Sequence, residues 1–422
     1  METVNLLNLL EKGIVKKGSH VINVPINRPN GQKYSGNTYM IPLEYLYYND
    51  QNGRIGVALS EYESQNGKVT PGHNEEYNMI IQEMLCNDSN SKINKEMKIL
   101  KQDILTKGQQ EVGYVLNDGR VIDGNRRFTA KRLLQQDSEV TVDQYFEAVI
   151  LDELSLENHQ DHRLIKSLEL QIQFGRVEKV DYDPVDRAID AYKTIVKEKI
   201  MTVKDYATFA NLKTNEVNKR ILEAELILKF LKFSNAESDN YSLAKQFDLD
   251  GPMQDIIPQY KKIKGQENEE LILNALFSKL IQLKMSREDF KGEFRQIVKE
   301  VIGSKKEEEF LEEMEEHTDI IQDKLSEKEV IKNKLELVNA FVEEEELADA
   351  INNIKKVSNV VVESVKNEKD FNKPVLLARK ALNNLNSMDQ STINEISGKE
   401  GEEFYKILQE IITFIENINN KE

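Results

Sequence analysis

The stretch Val121-Ile-Asp-Gly-Asn-Arg-Arg-Phe-Thr-Ala-Lys-Arg132 decides the fold of the N-terminal part of the chain. The apolar pair at its start is typical of a strand. After Arg126 the apolar residues recur near helical spacing, as they do on one face of a helix. Gly124 lies between the two patterns and allows the backbone to turn sharply. The stretch therefore predicts a strand that runs through a glycine turn into a helix.

A second strand is predicted immediately upstream, where residues 112–116 form an apolar run. The turn Asn117-Asp118-Gly119 separates it from the return strand at residues 120–123. These residue types tolerate the positive φ angles of a tight hairpin turn. We therefore expect a β-hairpin that leads directly into the helix. Further downstream, residues 146–151 predict another strand and residues 161–174 a helix, whereas the polar segment 61–73 is expected to be a loop.

The start of the predicted helix has the composition of an anion site. The first backbone N–H groups of a helix have no partner within it, and Asn125 is expected to cap them. Arg126 and Arg127 follow directly, and a guanidinium group can grip two phosphate oxygens. A phosphate would fit this turn. A solvated helix start that happens to carry two arginines would leave the same pattern.

The quoted stretch resembles the glycine-glutamate-arginine-arginine box of the ParB family of partition proteins. Three further segments resemble landmarks of that family, in the family's order. They are residues 41–46 with 52–55, residues 104–112, and residues 183–192. The resemblance covers about half of the chain. It implies an α+β N-terminal domain of ParB/sulfiredoxin-like fold that binds CTP or another nucleoside triphosphate, with or without Mg²⁺, followed by a DNA-binding domain.

The resemblance also implies which residues bind the nucleotide: Gly108, Gln109, Asp123, Gly124, Asn125, Arg126, Arg127 and Glu169. Two positions depart from the family's pattern. Asn125 stands where the box usually carries a glutamate. Glu169 is followed by Leu170, where the family has an asparagine that helps to hold magnesium. Because both departures remove groups linked to metal binding and hydrolysis, we expect triphosphate binding with at most a weak, CTPase-like activity.

Composition limits the classes of function. The chain has 422 residues, of which 31% are charged, and its net charge is −17. Such a chain is not expected to coat nucleic acid indiscriminately, so any contact with DNA must be local. The single cysteine excludes an intramolecular disulfide and a multi-cysteine metal site. No apolar run approaches the roughly 20 residues of a membrane span. We expect a cytoplasmic protein that does not associate with membranes and has no metal site of its own.

The region after Asp183 has the pattern of a helix-turn-helix. Residues 184–199 predict an amphipathic helix, and Thr202 can cap a second helix. The small Ala207 allows close helix crossing, and Asn211, four residues later, tolerates the left-handed backbone of a turn. A third helix, capped by Thr214, follows, with apolar residues at the spacing of buried positions. A plain three-helix packing unit would leave the same pattern.

The outer face of the third helix carries candidate contacts to DNA: Thr214, Asn215, Asn218, Lys219 and Arg220. Such residues can contact base edges and phosphates. Residues 201–235 contain six basic and four acidic side chains, a local excess of positive charge in an acidic chain. This asymmetry favours binding of double-stranded DNA.

The C-terminal part of the chain is acidic and helical in pattern, after an expected linker at residues 234–241. Near the end, apolar residues lie at helical spacing: Phe404, Ile407, Leu408, Ile411, Ile412 and Ile415. Amphipathic helices of this kind either cover a core or pair with a partner. We expect a homodimer, with a partner protein or a closed helical domain as alternatives.

Three domains are therefore predicted: a ParB-like nucleotide-binding domain at residues 1–165, a helix-turn-helix domain at 166–235 and a helical domain at 236–422. The function that fits them is nucleotide-responsive, sequence-specific DNA binding in partition or maintenance of a plasmid or mobile element. Residues 123–127 also resemble Asp-Gly-Gln-type boxes of related folds. The second hypothesis is therefore a component of a DNA modification, restriction or nuclease system.

Overall fold

The computed structural model describes residues 4–27, 33–51, 55–87, 92–175, 183–285, 290–389, 393 and 395–419. The predicted landmark at residues 52–54 lies outside this part of the chain. Two compact units are present, Met1–Ser358 and Asn359–Glu422. The first contains a six-stranded sheet followed by many helices, so the predicted α+β class is confirmed. The domain boundaries at 165/166 and 235/236 stay predictions.

The sheet has the strand order β1-β2-β6-β4-β5-β3. The pairs β4/β6 and β3/β5 are parallel, and the other pairs are antiparallel. The strands are β1 (Lys16–Asn27), β2 (Lys33–Pro42), β3 (Tyr47–Tyr48), β4 (Gly113–Leu116), β5 (Arg120–Asp123) and β6 (Tyr145–Leu151). The predicted hairpin is therefore formed by β4 and β5. Residues 41–46, which resemble the opening strand of the ParB family, are strand only at Ile41 and Pro42, and a 3-10 turn occupies Leu43–Tyr45.

Helices cover both faces of the sheet. Successive side chains of a strand point to opposite faces, and here both faces are apolar. In β6, Phe146 and Ala148 face one core and Val149 faces the other. The N-terminal helices are α1 (Leu6–Glu11), α2 (Gly56–Asn66), α3 (Glu75–Cys86), α4 (Lys95–Lys107), α5 (Asn125–Gln135) and α6 (His159–Gly175). The loop expected at residues 61–73 is wrong in its first half, because α2 continues to Asn66.

The rest of the chain is helical. Its elements are α7 (Pro184–Tyr192), which continues as a π-helical turn at Lys193–Lys197, α8 (Val203–Phe209), α9 (Thr214–Phe233), α10 (Tyr241–Gln246), α11 (Asp250–Ile263), α12 (Glu269–Met285), α13 (Phe290–Gln296), with a π-helical turn at Ile297–Val301, α14 (Glu307–Ser326), α15 (Lys334–Glu343), α16 (Glu345–Asn386) and α17 (Gly398–Asn419). Among the described helices, none is long and apolar enough to cross a membrane.

The helices α8 and α9 pack against each other and are joined by a short turn, as the sequence pattern predicts. Thr202 caps α8, because its hydroxyl oxygen accepts a hydrogen bond from the N–H of Asp205 at 3.2 Å. Asn211 has a φ of 52°, and the predicted left-handed turn is confirmed. The cap assigned to Thr214 is wrong. Lys213 occupies the cap position, and its N–H donates to Glu216 Oε2 at 2.9 Å, so the carboxylate caps the helix instead.

The segment between α9 and α10 is anchored and does not behave as a solvated linker. The Asn235 side chain donates hydrogen bonds to the carbonyl oxygens of Leu325 and Lys328. The Asn240 side chain donates to the carbonyl oxygen of Lys332 at 2.8 Å. These contacts span about ninety residues of sequence. The fold therefore holds the end of α9 in place.

Candidate functional site

The turn between β5 and α5 requires glycine at position 124. Gly124 has a φ of 100°, in the left-handed region that side chains with a Cβ rarely adopt. A Cβ added there would lie 2.8 Å from Phe146 Cζ and 3.1 Å from Arg127 Nη2. The predicted strand-to-helix change at this residue is confirmed, and close packing beneath the turn explains it.

Asn125 does not cap α5, and this expectation is wrong. Gly124 occupies the cap position, and Asn125 is the first helical residue. Its side chain is 4% exposed, and within the described residues neither its nitrogen nor its oxygen has a hydrogen-bond partner. A buried amide without partners costs about 1–3 kcal/mol for each unsatisfied group. Asn125 is thus held at a cost at the centre of the predicted phosphate site.

Arg127 forms polar contacts with residues just before β4 and with the last residue of β5. Its guanidinium lies 2.7 Å from Glu111 Oε2 and 2.9 Å from Asp123 Oδ2. It also donates to the carbonyl oxygen of Val112 at 3.2 Å. The side chain is largely buried. Arg127 therefore has a structural role within the hairpin, besides the phosphate contact that was predicted for it.

Arg126 is more accessible to a ligand than Arg127, because its side chain is more exposed and makes fewer polar contacts. Its Nη2 lies 3.0 Å from Glu96 Oε2 on α4. The carboxylate side chains that pair with the two arginines are open to solvent, since Glu96 is 71% exposed and Glu111 is 50% exposed. Exposed ion pairs of this kind contribute about 0–1 kcal/mol. An anion could therefore replace either carboxylate at little cost.

Gly108 and Gln109 lie at the end of α4. Gly108 ends the helix with a φ of 75°, and its N–H donates to the carbonyl oxygen of Ile104 at 2.9 Å. The Gln109 side chain pairs with the backbone of β6: its amide donates to the carbonyl oxygen of Glu147 at 2.7 Å, and its oxygen accepts from the Glu147 N–H at 3.0 Å. Both groups of this amide therefore bond to the sheet.

Glu169 lies on α6 and is 4% exposed. Its Oε1 accepts a hydrogen bond from Asn49 Nδ2 at 2.9 Å, and its Oε2 lies 3.4 Å from Lys166 Nζ. Burial is the main cause that raises the pKa of Glu169 to about 7. The charge of Lys166 opposes this rise, whereas the charges of Asp190 and, to a smaller extent, Asp123 add to it. Asn49 supplies an amide to Glu169 although Leu170 replaces the expected asparagine. No sequence pattern links Asn49 to Glu169, and only the fold brings them together.

Lys166 connects Glu169 to the helix-turn-helix. Its Nζ lies 2.6 Å from Asp190 Oδ1 on α7, and Tyr206 of α8 donates to Asp190 Oδ2 at 2.8 Å. Burial alone would lower the pKa of Lys166, but the carboxylates of Asp190 and Glu169 raise it above its ordinary value. The lysine is therefore charged at neutral pH. A continuous series of polar contacts runs from β3 to α8.

The geometry of the described residues does not indicate a metal site. Over the ranges that the structure describes, no group of three or more His, Cys, Asp or Glu side chains is arranged to hold a metal ion. The oxygens of Glu169 already accept from Asn49 and contact Lys166. Magnesium at this position stays an expectation.

The N-terminal half of α9 presents the predicted DNA-contact residues. Thr214, Asn215, Asn218 and Lys219 are exposed, and Arg220 is half-buried. On the opposite side, Val217 is fully buried against α7 and α8. Lys219 Nζ donates to Gln254 Oε1 of α11 at 3.1 Å. The sequence therefore identified the exposed face of this helix correctly; its role in DNA binding stays a prediction.

Comparisons with known proteins give no match: no family model, curated protein or solved structure matches this chain.

Proposed function

We propose that the protein binds specific sequences of double-stranded DNA through α9, and that a nucleoside triphosphate bound at the Gly124 turn modulates this binding. Nucleotide-responsive DNA binding of this kind is what the resemblance to ParB-like proteins implies, in partition or maintenance of a plasmid or mobile element. The observation that carries the proposal is the pair α8 and α9, joined by a left-handed turn at Asn211, with the polar start of α9 open to solvent.

The shape and chemistry of α9 favour the major groove. A recognition helix contacts base edges with residues of its first turns, and asparagine can form two hydrogen bonds to adenine. Asn215 and Asn218 are exposed in those turns. Lys219 provides a flexible charge that can move from Gln254 to a phosphate. Local positive charge on an acidic chain would restrict DNA to this surface.

The chemistry of the Gly124 turn favours a phosphate ligand. Asn125 has a buried amide whose hydrogen-bonding groups lack partners in the described part of the chain. Arg126 and Arg127 hold exposed carboxylates that an anion can displace. A triphosphate would replace Glu96 and Glu111 as the partner of the two guanidinium groups, and it would find free N–H groups at the start of α5.

The polar contacts of α6 supply a path between the two proposed sites. Asp123 ends the strand before the turn, and its charge acts on Glu169. Glu169 contacts Lys166, which contacts Asp190, which accepts from Tyr206 on α8. Because Glu169 is buried and Lys166 and Asp190 are largely buried, charges along this path are screened less than charges on the open surface. This path supports a DNA affinity that depends on nucleotide.

Self-association through the second unit, with a second copy of the chain as the partner, completes the proposal. Large apolar side chains of α17 are open to solvent in the single chain, including Phe414 at 66% and Ile418 at 54% exposure. The seam Phe404, Leu408, Ile411, Ile415 and Ile418 alternates steps of four and three, as in coiled coils. Exposed apolar surface of this extent marks an interaction site.

Charge favours pairing between copies. Residues 373–386 of α16 carry three basic residues and no acidic residue, whereas α17 has five glutamates and two lysines. A second copy can therefore place its acidic α17 against a basic α16 segment. Most large apolar side chains of this segment, such as Leu376 and Leu382, are also exposed. Complementary charge around apolar surface fixes the partner and the register of helical assemblies.

For the nucleotide, Arg126→Ala should weaken binding of CTP or ATP about tenfold or more, because a charged hydrogen bond contributes about 1.5–3 kcal/mol. The double substitution Glu96→Gln with Glu111→Gln should strengthen binding severalfold, because it removes the exposed carboxylate that competes with the ligand at each guanidinium group. Calorimetry on the full chain, with and without Mg²⁺, measures both effects. Hydrolysis should be slow or absent.

The matched control is Arg163→Ala, which removes another exposed arginine from an ion pair with Asp205. It should leave nucleotide affinity unchanged. The proposal fails for this site if neither nucleotide binds the wild-type chain, or if the double glutamine variant binds as weakly as the wild type.

For DNA, Lys219→Ala should weaken binding to all duplexes and reduce the salt dependence, because a phosphate contact is lost. Asn215→Ala should cost about 1–3 kcal/mol on the preferred site and little on other duplexes. The preferred site is first selected from random duplexes, and gel shifts across a salt series then measure the affinities.

Lys232→Ala is the control for charge, since Lys232 is an exposed lysine at the other end of the same helix. It should have little effect on affinity. Equal losses from Lys219→Ala and Lys232→Ala would show a diffuse electrostatic contact. Unchanged affinity in both the Lys219 and Asn215 variants would remove α9 from DNA recognition and favour the DNA modification or nuclease hypothesis.

For self-association, Ile415→Lys with Ile418→Lys should dissociate the full chain, because it places two charges in the apolar seam. Sedimentation velocity measures the mass in solution. Thr413→Lys adds a charge on the outer side of the same helix and should leave the mass unchanged. A wild-type chain that sediments as a monomer at all concentrations tested would contradict the proposal.

A further inference from the structure

A cleft of about 290 Å³ lies between the start of α2, α6 and α7. This volume is close to the lower end for small-molecule sites. One part of the wall is apolar and includes Val57, Ile189 and Ile200. The other part is charged and includes Asp186, Asp190 and Lys166. A wall of this mixed kind fits a ligand that has both a carbon body and a charged group.

Carboxylates outnumber cationic side chains around the cleft, although Glu169, with a pKa of about 7, is only partly ionised at pH 7. The groups that line it or pair directly with its lining include five carboxylates and four cationic side chains. The carboxylates belong to Asp50, Glu169, Asp186, Asp190 and Glu198, and the cations to Arg120, Lys166, Lys193 and Lys245. His162 also lines the cleft, and burial is the main cause that lowers its pKa, so it is neutral at pH 7. A cationic ligand would complete the charge balance.

Asp186 supplies the more specific observation. It is 6% exposed, and its Oδ2 lies 2.8 Å from Lys245 Nζ. Its Oδ1 is buried and has no hydrogen-bond partner in the part of the chain that the structure describes. Burial is the main cause that raises the pKa of Asp186 to about 6, so the carboxylate is still ionised at pH 7. A buried carboxylate oxygen needs a donor, and Asp186 is one of the residues that line the cleft.

We propose that this cleft binds a small organic amine in its protonated form. The ammonium group would donate a hydrogen bond to Asp186 Oδ1, and the carbon chain would lie against Val57 and Ile189. A bare metal ion fits less well, since the described side chains here offer no group of three metal ligands. An anion would meet the excess of carboxylates.

The test is calorimetry on the full chain with 1,4-diaminobutane, using 1,4-butanediol as a neutral molecule of similar size. The diamine should bind and the diol should not. Asp186→Asn should weaken diamine binding at least tenfold, because a charged hydrogen bond is lost. Asp143→Asn removes the same charge from an exposed position remote in sequence and should leave binding unchanged.

A second variant covers the case in which Asp186→Asn fails to fold. Gly56 lines the cleft, and a Cβ added there would meet nothing within 4 Å. Gly56→Leu should therefore fill the cleft without strain, abolish diamine binding and leave the Tm of the protein unchanged. Equal binding of diamine and diol, undetectable binding of the diamine, or full binding in Gly56→Leu would each overturn the proposal. The last result would place the amine on the acidic surface.

Discussion

The charged, buried Lys166 is the constraint on which the first unit depends. Removing an ammonium group from water costs several kcal/mol, and only close carboxylates with good geometry offset this cost. Asp190 at 2.6 Å and Glu169 at 3.4 Å provide them. Glu169 is buried and Asp190 is largely buried, so Lys166 and its nearer carboxylate, Asp190, depend on each other. The positions of α6 and α7 are thereby fixed relative to each other.

Helix α6, which carries Lys166, also packs in two hydrophobic clusters. Leu168 packs against the sheet, whereas Leu170 packs in the cluster that contains Ala207 and Val217 of the helix-turn-helix. A leucine at position 170 therefore has a packing role, where the ParB pattern would have an asparagine. Asn49 approaches Glu169 from β3 and supplies an amide from another direction.

Local sequence signals predicted the elements that depend on local geometry. Gly124 and Asn211 both adopt the left-handed backbone that their residue types permit. The strand-to-helix turn and the turn between α8 and α9 follow from them. Predictions from local sequence were wrong where contacts between residues far apart in the sequence determine the local structure. The polar sequence near Glu61 is helical because α2 packs on α10, where Gln246 approaches Glu61. The cap expected at Asn125 failed because packing beneath the turn requires glycine at the cap position.

A double-mutant cycle on Lys166 and Asp190 measures how far these two charges depend on each other. The free energy of unfolding of the first unit is measured for Lys166→Met, Asp190→Leu and the double variant. Each single change should cost roughly 3–5 kcal/mol, because it leaves an uncompensated buried charge. The double variant should lose at least about 2 kcal/mol less than the sum of the two single losses, because it removes both charges. Strictly additive losses would show that the two charges do not depend on each other and would contradict the account.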